Sequence, residues 1–329
     1  MTMKKMLRTP AWIGLLGFLL ALPPDAWAAT KAKSPAAPKP PATTGARPER
    51  KPSIARNPYL GAVVVDAATG KVLFEDQADA KGYPASVLKL MDLLIILERV
   101  QARQISLQDP VIASAKASKT GGSQVWLAEK EVFTIDELLY ALMVQSANDA
   151  AVALAEKLAG STEAFVELMN TRARELGMNS TRFQSAHGLP PGAGQEHDVT
   201  TARDFARLCL ALLKHPDALR FTSTRERPFR PNAGEKTVIM RNHDHLLDQI
   251  EGCDGFKTGY IREAGYSIAV TAARKGQRVV AIVLGSLDRK VRDAKAAELV
   301  AKGFLALPGV PAAAVPPAPP AKTPVPVKR

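Results

Sequence analysis

Strand signatures stand at both ends of this chain's central stretch and helix signatures fill the space between, so any sheet must be built from residues far apart in sequence. Near the start, Ala62-Val-Val-Val65, the turn Asp66-Ala-Ala-Thr69-Gly70 and Lys71-Val-Leu-Phe74 read as strand, turn, strand. Near the end, residues 268–273 and 279–284, joined by Arg274-Lys-Gly-Gln277, read as a hairpin, and 288–305 as a closing amphipathic helix. In the middle, residues 87–97 are apolar except for Lys89 and Asp92, which predicts a helix buried nearly all round. Thr134-Ile-Asp-Glu137 is a capping box opening a helix over 138–143. Further helices are expected over 149–159, over 162–176 with a stop at Gly177, and from Thr201 to about residue 214. The fold expected is α/β in the α+β sense: an antiparallel sheet flanked by helices plus an all-helical lobe. No internal repeat is visible.

The two ends of the chain read differently. Lys4, Lys5 and Arg8 precede an apolar run over 12–22, and Ala26-Trp27-Ala28 has the form of a cleavage site. Residues 1–28 therefore read as a secretory signal peptide, too short to span a bilayer. The mature protein is expected to be exported and soluble, in the periplasm or cell envelope. The net charge of +12 is concentrated outside the core. Residues 1–28 carry +2, 29–57 carry +6 and 307–329 carry +3, which leaves 58–306 at +1. Both basic segments are rich in Pro and Ala and read as an extended linker and a disordered tail. A charge so placed does not suggest nucleic acid, which wants a basic stripe on a folded face. Weak electrostatic contact of the tails with a wall or membrane surface stays open. The domain itself is expected over 58–306. Cys209 and Cys253 both sit in apolar surroundings, so buried free thiols are favoured over a disulfide.

Three short strings carry the chemistry: Ser86-Val-Leu-Lys89, Ser146-Ala-Asn148 and Lys257-Thr258-Gly259. On a helix, i and i+3 share a face, so Ser86 and Lys89 can meet. A serine hydroxyl becomes a nucleophile when a base takes its proton, and Lys89 can be that base only if burial and a nearby cation keep it neutral. Lys257 is the candidate cation. Ser146 can relay a proton, and Asn148 can hold a substrate backbone. Lys257 and Thr258 suit a substrate carboxylate, and Gly259 would let a ligand approach the strand closely. A second Lys-Thr-Gly string, at 119–121, lies where no strand pattern exists. Only the one at 257 follows the first two strings and precedes strands.

The set resembles the S-x-x-K, S-x-N and K-T-G strings of penicillin-binding proteins and serine β-lactamases. From residue 59 to about 305 the chain resembles the low-molecular-mass penicillin-binding proteins, the serine D-Ala-D-Ala carboxypeptidases. Pro84-Ala-Ser86, Gly122-Ser-Gln124, Gln145-Ser-Ala-Asn-Asp-Ala150, Met169-Asn170, Leu176-Gly-Met178, Thr201-Ala202 and Asp254-Gly-Phe-Lys-Thr-Gly-Tyr260 extend the match. The resemblance implies a β-lactamase/transpeptidase-like fold with the active site between sheet and helical lobe. It also implies a serine DD-peptidase without cofactor or metal. Ser86 would attack the terminal D-Ala-D-Ala bond of peptidoglycan stem peptides, and β-lactams would acylate it. The backbone N–H groups of Ser86 and Tyr260 would form the oxyanion hole. Two residues depart from the family: Asp92 where threonine is usual and Asp244 where asparagine is usual. Many members also carry a second β-domain and an amphipathic C-terminal anchor. After Leu307 this chain turns to Pro and Ala, so neither is expected.

Rival readings share parts of the pattern. A β-lactamase needs a glutamate placed to activate water, and the nearest match, Glu167-Leu-Met-Asn170, falls mid-helix. A zinc peptidase could draw on His243-Asp-His245 or Ser185-Ala-His187, but no H-E-x-x-H string accompanies them. A catalytically inactive wall-binding protein is the reading of another class. Within the enzyme reading, an endopeptidase cutting D-Ala-to-diamino-acid cross-links is the alternative.

Overall fold

The first strands form because a tight turn brings them together. Thr69 Oγ1 donates to Asp66 Oδ2 and the Gly70 N–H to the Asp66 carbonyl. This closes β1 (Gly61–Asp66) against β2 (Val72–Asp76). The computed structural model describes residues 53–308 except 232 and 233. The expected signal peptide and most of both basic tails lie outside the described residues.

A 3-10 turn, Ala85–Leu88, runs directly into α1 (Lys89–Gln101). There follow β3 (Pro110–Ile112), α2 (Ala115–Ser118), β4 (Val132–Thr134), α3 (Ile135–Val144), α4 (Asn148–Ala159) and α5 (Thr162–Glu175). After a long loop come α6 (Ala202–Leu212), α7 (Asp217–Thr222), β5 (Glu226–Phe229) and β6 (Val238–Arg241). The fold closes with β7 (Cys253–Ile261), β8 (Gly265–Arg274), β9 (Gln277–Ser286) and α8 (Arg289–Ala306). The main sheet has the order β2-β1-β9-β8-β7, antiparallel throughout, so β7 is an edge strand.

Side chains alternate across a strand, and the two faces bury separate cores. Val63, Val65, Ala269, Val280 and Ile282 face the helices, whereas Ala62, Val64, Val270, Val279 and Val283 face Leu299, Val300 and Phe304 of α8. The helical lobe surrounds α1, which packs against α3, α4, α5, α6 and α7. Nine consecutive residues of α1, Lys89 to Leu97, are buried. The capping box read from Thr134 and Glu137 is present with both of its hydrogen bonds.

The antiparallel sheet, its flanking helices and the helical lobe are those the sequence led us to expect. Two details differ. Lys257 sits in the middle of β7 and does not begin it. Residues 54–56, read as linker, bind the folded body: the Ile54 N–H donates to the Glu263 carbonyl and the Arg56 N–H to that of Gly285. Both cysteines are buried free thiols. No helix among the described residues is long and apolar enough to cross a membrane.

Candidate active site

Ser86 lies inside the 3-10 turn that feeds α1, and the residue before it, Ala85, has φ +48°. The loop around Gly188 holds that backbone in place. A Cβ on Gly188, itself at φ +77°, would stand 2.3 Å from the Ala85 carbonyl oxygen, a separation no side chain tolerates. On the other side, β7 presses on the same turn. A Cβ on Gly259 would lie 2.6 Å from the Pro84 carbonyl oxygen and 2.9 Å from the Val87 nitrogen. Gly259, read from the sequence as admitting a ligand, lines the cleft and also admits the backbone that carries Ser86.

Lys89 is fully buried, and its amine is surrounded by four oxygens. Ser86 Oγ lies at 2.9 Å, Ser146 O at 3.0 Å, Ser146 Oγ at 3.4 Å and Asn148 Oδ1 at 2.6 Å. The orientation of Asn148 is fixed because its Nδ2 donates to the Gly121 carbonyl at 2.8 Å. Two of the four oxygens are therefore carbonyls, which can only accept, and two are hydroxyls, which can also donate. A neutral amine gives its two N–H bonds to the carbonyls and keeps its lone pair for a hydroxyl, of which Ser86 Oγ is the nearer. The electrostatics favour this neutral form. Burial lowers the Lys89 pKa well below the ordinary lysine value, and the Lys257 cation pushes the same way.

Lys257 is also buried, and its amine donates to the Thr258 carbonyl at 3.0 Å. Burial pulls its pKa down to about 7; Asp244 opposes that fall and Arg292 adds to it. Asp244 in turn is pushed up to about 7 by burial, with one carboxylate oxygen free of any hydrogen bond among the described residues.

A cleft of about 320 Å³ opens over this cluster, lined by Ser86, Ser123, Ser146, Thr258, Gly259 and Tyr260 on one part of its wall. His243, His245, Tyr266, Arg289 and Arg292 line the rest. A larger cavity, about 640 Å³, lies beside Lys116, Glu163, Arg182 and His187 and does not include Ser86. Of its charged groups, Lys116 pairs with Glu163, Asp198 accepts from Ser185 and Glu196 accepts from Gln184. The smaller cleft is the candidate site because Ser86 lines it, Lys89 is hydrogen-bonded to that hydroxyl, and two arginines stand in the same wall.

The structure thus gathers the six side chains Ser86, Lys89, Ser146, Asn148, Lys257 and Thr258, with Gly259 and the Tyr260 backbone on the adjoining strand. Other parts of the site escaped the sequence reading. The discarded Lys-Thr-Gly string is no strand, as expected, yet Gly121 O holds Asn148 and Ser123 O accepts the Asn148 N–H at 2.8 Å. Arg292 was missed although it left a signal, a charged residue on the buried stripe of α8 with Ala296, Leu299 and Gly303. Its Nη1 donates to the Ser267 carbonyl at 3.0 Å. His243 and His245 drew attention as metal ligands, but among the described residues no three His, Cys, Asp or Glu side chains converge as a metal site. His187 borders the larger cavity, and Glu167 is exposed on α5, away from Ser86.

Residues 50–287 match the family model of the D-alanyl-D-alanine carboxypeptidases. The chain belongs to that family. It is 36% identical over 243 residues to the D-alanyl-D-alanine carboxypeptidase DacF of Bacillus subtilis, covering 74% of this chain and 61% of that protein. The chain thus spans about three fifths of the length of such relatives. It is 31% identical over 290 residues to the D-alanyl-D-alanine endopeptidase of Escherichia coli, covering 86% of this chain and 85% of that one. Among solved structures it is similar to penicillin-binding protein D2 of Listeria monocytogenes in its ampicillin-bound form. The TM-score is 0.66 and the identity 31%, with 74% of this chain and 97% of that one covered. A family member shares the strings because the chemistry needs their geometry, and here that geometry is the four-oxygen shell of Lys89.

Proposed function

We propose that the protein is an exported serine DD-peptidase. It cleaves the terminal D-Ala-D-Ala bond of peptidoglycan stem peptides through an acyl-enzyme, and β-lactams acylate the same serine. The observation that carries this reading is the amine of Lys89, held by two carbonyl oxygens with its lone pair left for the Ser86 hydroxyl. Ser86 Oγ attacks the carbonyl carbon of the penultimate D-Ala as its proton passes to Lys89 Nζ. The tetrahedral oxyanion is met by the backbone N–H groups of Ser86 and Tyr260, a contribution worth about 2.7–4 kcal/mol per donor in serine hydrolases. Collapse breaks the peptide C–N bond, and the leaving amine takes its proton from Lys89 through Ser146 Oγ, which lies 3.4 Å from the lysine. Water then attacks the ester, again giving its proton to Lys89, and frees Ser86.

Thr258, Lys257 and the buried Arg292 guanidinium suit the substrate's terminal carboxylate. Asn148 orients Lys89 and keeps spare donor and acceptor capacity for the substrate backbone. A second reading, cleavage of cross-links, rests on the near full-length match to an endopeptidase, in contrast to the partial span of the carboxypeptidases. The basic tails are assigned to weak contact with the envelope surface.

Ser86 makes no capping hydrogen bond, so Ser86→Ala should leave the fold intact while abolishing both labelling by a fluorescent penicillin and D-Ala release. Stoichiometric labelling of that variant would sink the assignment. Mass spectrometry of muropeptides digested with the protein distinguishes terminal cleavage from cross-link cleavage.

A further inference from the structure

The cleft carries one more cation than a single terminal carboxylate needs. Two arginines and two histidines line it and no Asp or Glu does. The two arginines are not equivalent. Arg292 is buried, and its Nη2 lies 2.6 Å from the Asp293 carboxylate. Arg289 stands one turn earlier on α8, exposed at the cleft mouth, with its Nη1 2.9 Å from Nε2 of His245. No carboxylate among the described residues comes within ion-pair distance of it. A guanidinium has five donors in a planar fork suited to a carboxylate, and His245 uses one of them.

We infer that Arg289, oriented by His245, reads a second carboxylate on the leaving fragment of the substrate. The inference rests on the proposed DD-peptidase reading and deepens it. The first carboxylate meets Thr258, Lys257 and Arg292. Arg289 lines the same cleft from its exposed rim, one turn of α8 from Arg292, within the reach of a leaving group longer than alanine. The substrate class it selects is a peptide in which D-Ala is joined to an amino acid with two free carboxylates, such as D-glutamate or a diamino-dicarboxylic acid that ends its own peptide. A lone D-alanine has nothing to offer this residue.

The test uses two acyl-D-Ala-D-X peptides of the same shape, with X either D-glutamate or the neutral D-glutamine. The intact protein should show a higher kcat/KM for the D-glutamate peptide, by about two- to fivefold at low salt, the size expected of an exposed ion contact. Added salt should shrink the ratio, because the contact is screened. Arg289→Ala should bring it to about one, and Arg289→Lys should restore most of it. Because the readout is a ratio, a general loss of activity in a variant cancels. A ratio at or below one in the parent protein, or one that survives Arg289→Ala, overturns the inference. Turnover of the D-alanine peptide with neither longer peptide cleaved also overturns it and leaves the DD-peptidase reading standing. If no peptide is cleaved and penicillin does not acylate the protein, both fall together.

Discussion

Asp92 is three residues beyond Lys89 on the same buried helix, where it could either pair with the lysine or turn away to cap a neighbouring element. It does neither. Both carboxylate oxygens are buried without a hydrogen-bond partner. Burial raises the Asp92 pKa well above the ordinary value, against the pull of the Lys89 charge. Burial thus favours the neutral form of both groups, raising the acid and lowering the amine. Two expectations follow from that state. Asp92→Thr should shift the basic limb of penicillin acylation by less than about one unit, because no charge is removed; a larger fall would show that Asp92 had been ionised. The same substitution should also stabilise the fold increasingly as pH rises. The unfolded chain gives up the Asp92 proton above about pH 4, while the folded chain keeps it. Wild-type stability is therefore lost through Asp92 from there up to its raised folded value. Threonine does not titrate and can bond its own helix backbone. Urea unfolding at pH 4, 6 and 8 should show the variant's advantage widening; a narrowing would mean the acid is charged when folded. At this scale the sequence singled out the residues that the fold brings together, and their spacing. It could not give the direction in which Asp92 points, because that depends on what packs around α1.

The edge strand and the nucleophile turn form one unit. Gly259 lets β7 press directly onto residues 84–87, with no side chain between the two backbones. Gly259→Ala should force β7 away from the turn that holds Ser86. Overpacking of this kind costs about 1–3 kcal/mol of stability, and a misplacement of about 1 Å costs about a hundredfold in rate. Acylation should fall by about that factor while the protein still unfolds cooperatively. Near wild-type acylation would show that the contact does not set the catalytic geometry. Elements were legible where their pattern was long. Helices α3, α4, α5, α6 and α8 and the β8–β9 hairpin lie within a few residues of their expected positions. The two-stranded sheets β3–β4 and β5–β6 and the helices α2 and α7 went unread. Each has three to six residues per element, too few to display a period. The 3-10 entry to α1 was hidden for the same reason.

Across the whole molecule, charge and chemistry are separated. Residues 58–306 are nearly neutral because their many cations are balanced by acids, and the net positive charge lies in the tails. Residues 54–56 bind the folded body, so a truncation that keeps 53–308 should retain turnover of a soluble peptide. It should also lose salt-sensitive attachment to isolated wall or anionic vesicles, since exposed charges are screened beyond about 10 Å at 0.1 M salt. Sedimentation with wall at low and high salt would check this, and equal binding of the truncated form at low salt would exclude the tails as the adhesive element. The pairing of β1 with β9 has a further bearing, on time. The first strand pairs with β2 at once but cannot find its other neighbour, β9, until more than two hundred residues later have been made, and closing so long a loop is slow. Lys257, whose charge helps to silence the proton on Lys89, arrives in that last stretch. A chain still emerging holds Ser86 and Lys89 but not the strand that completes the cleft around them, so the candidate site is assembled last.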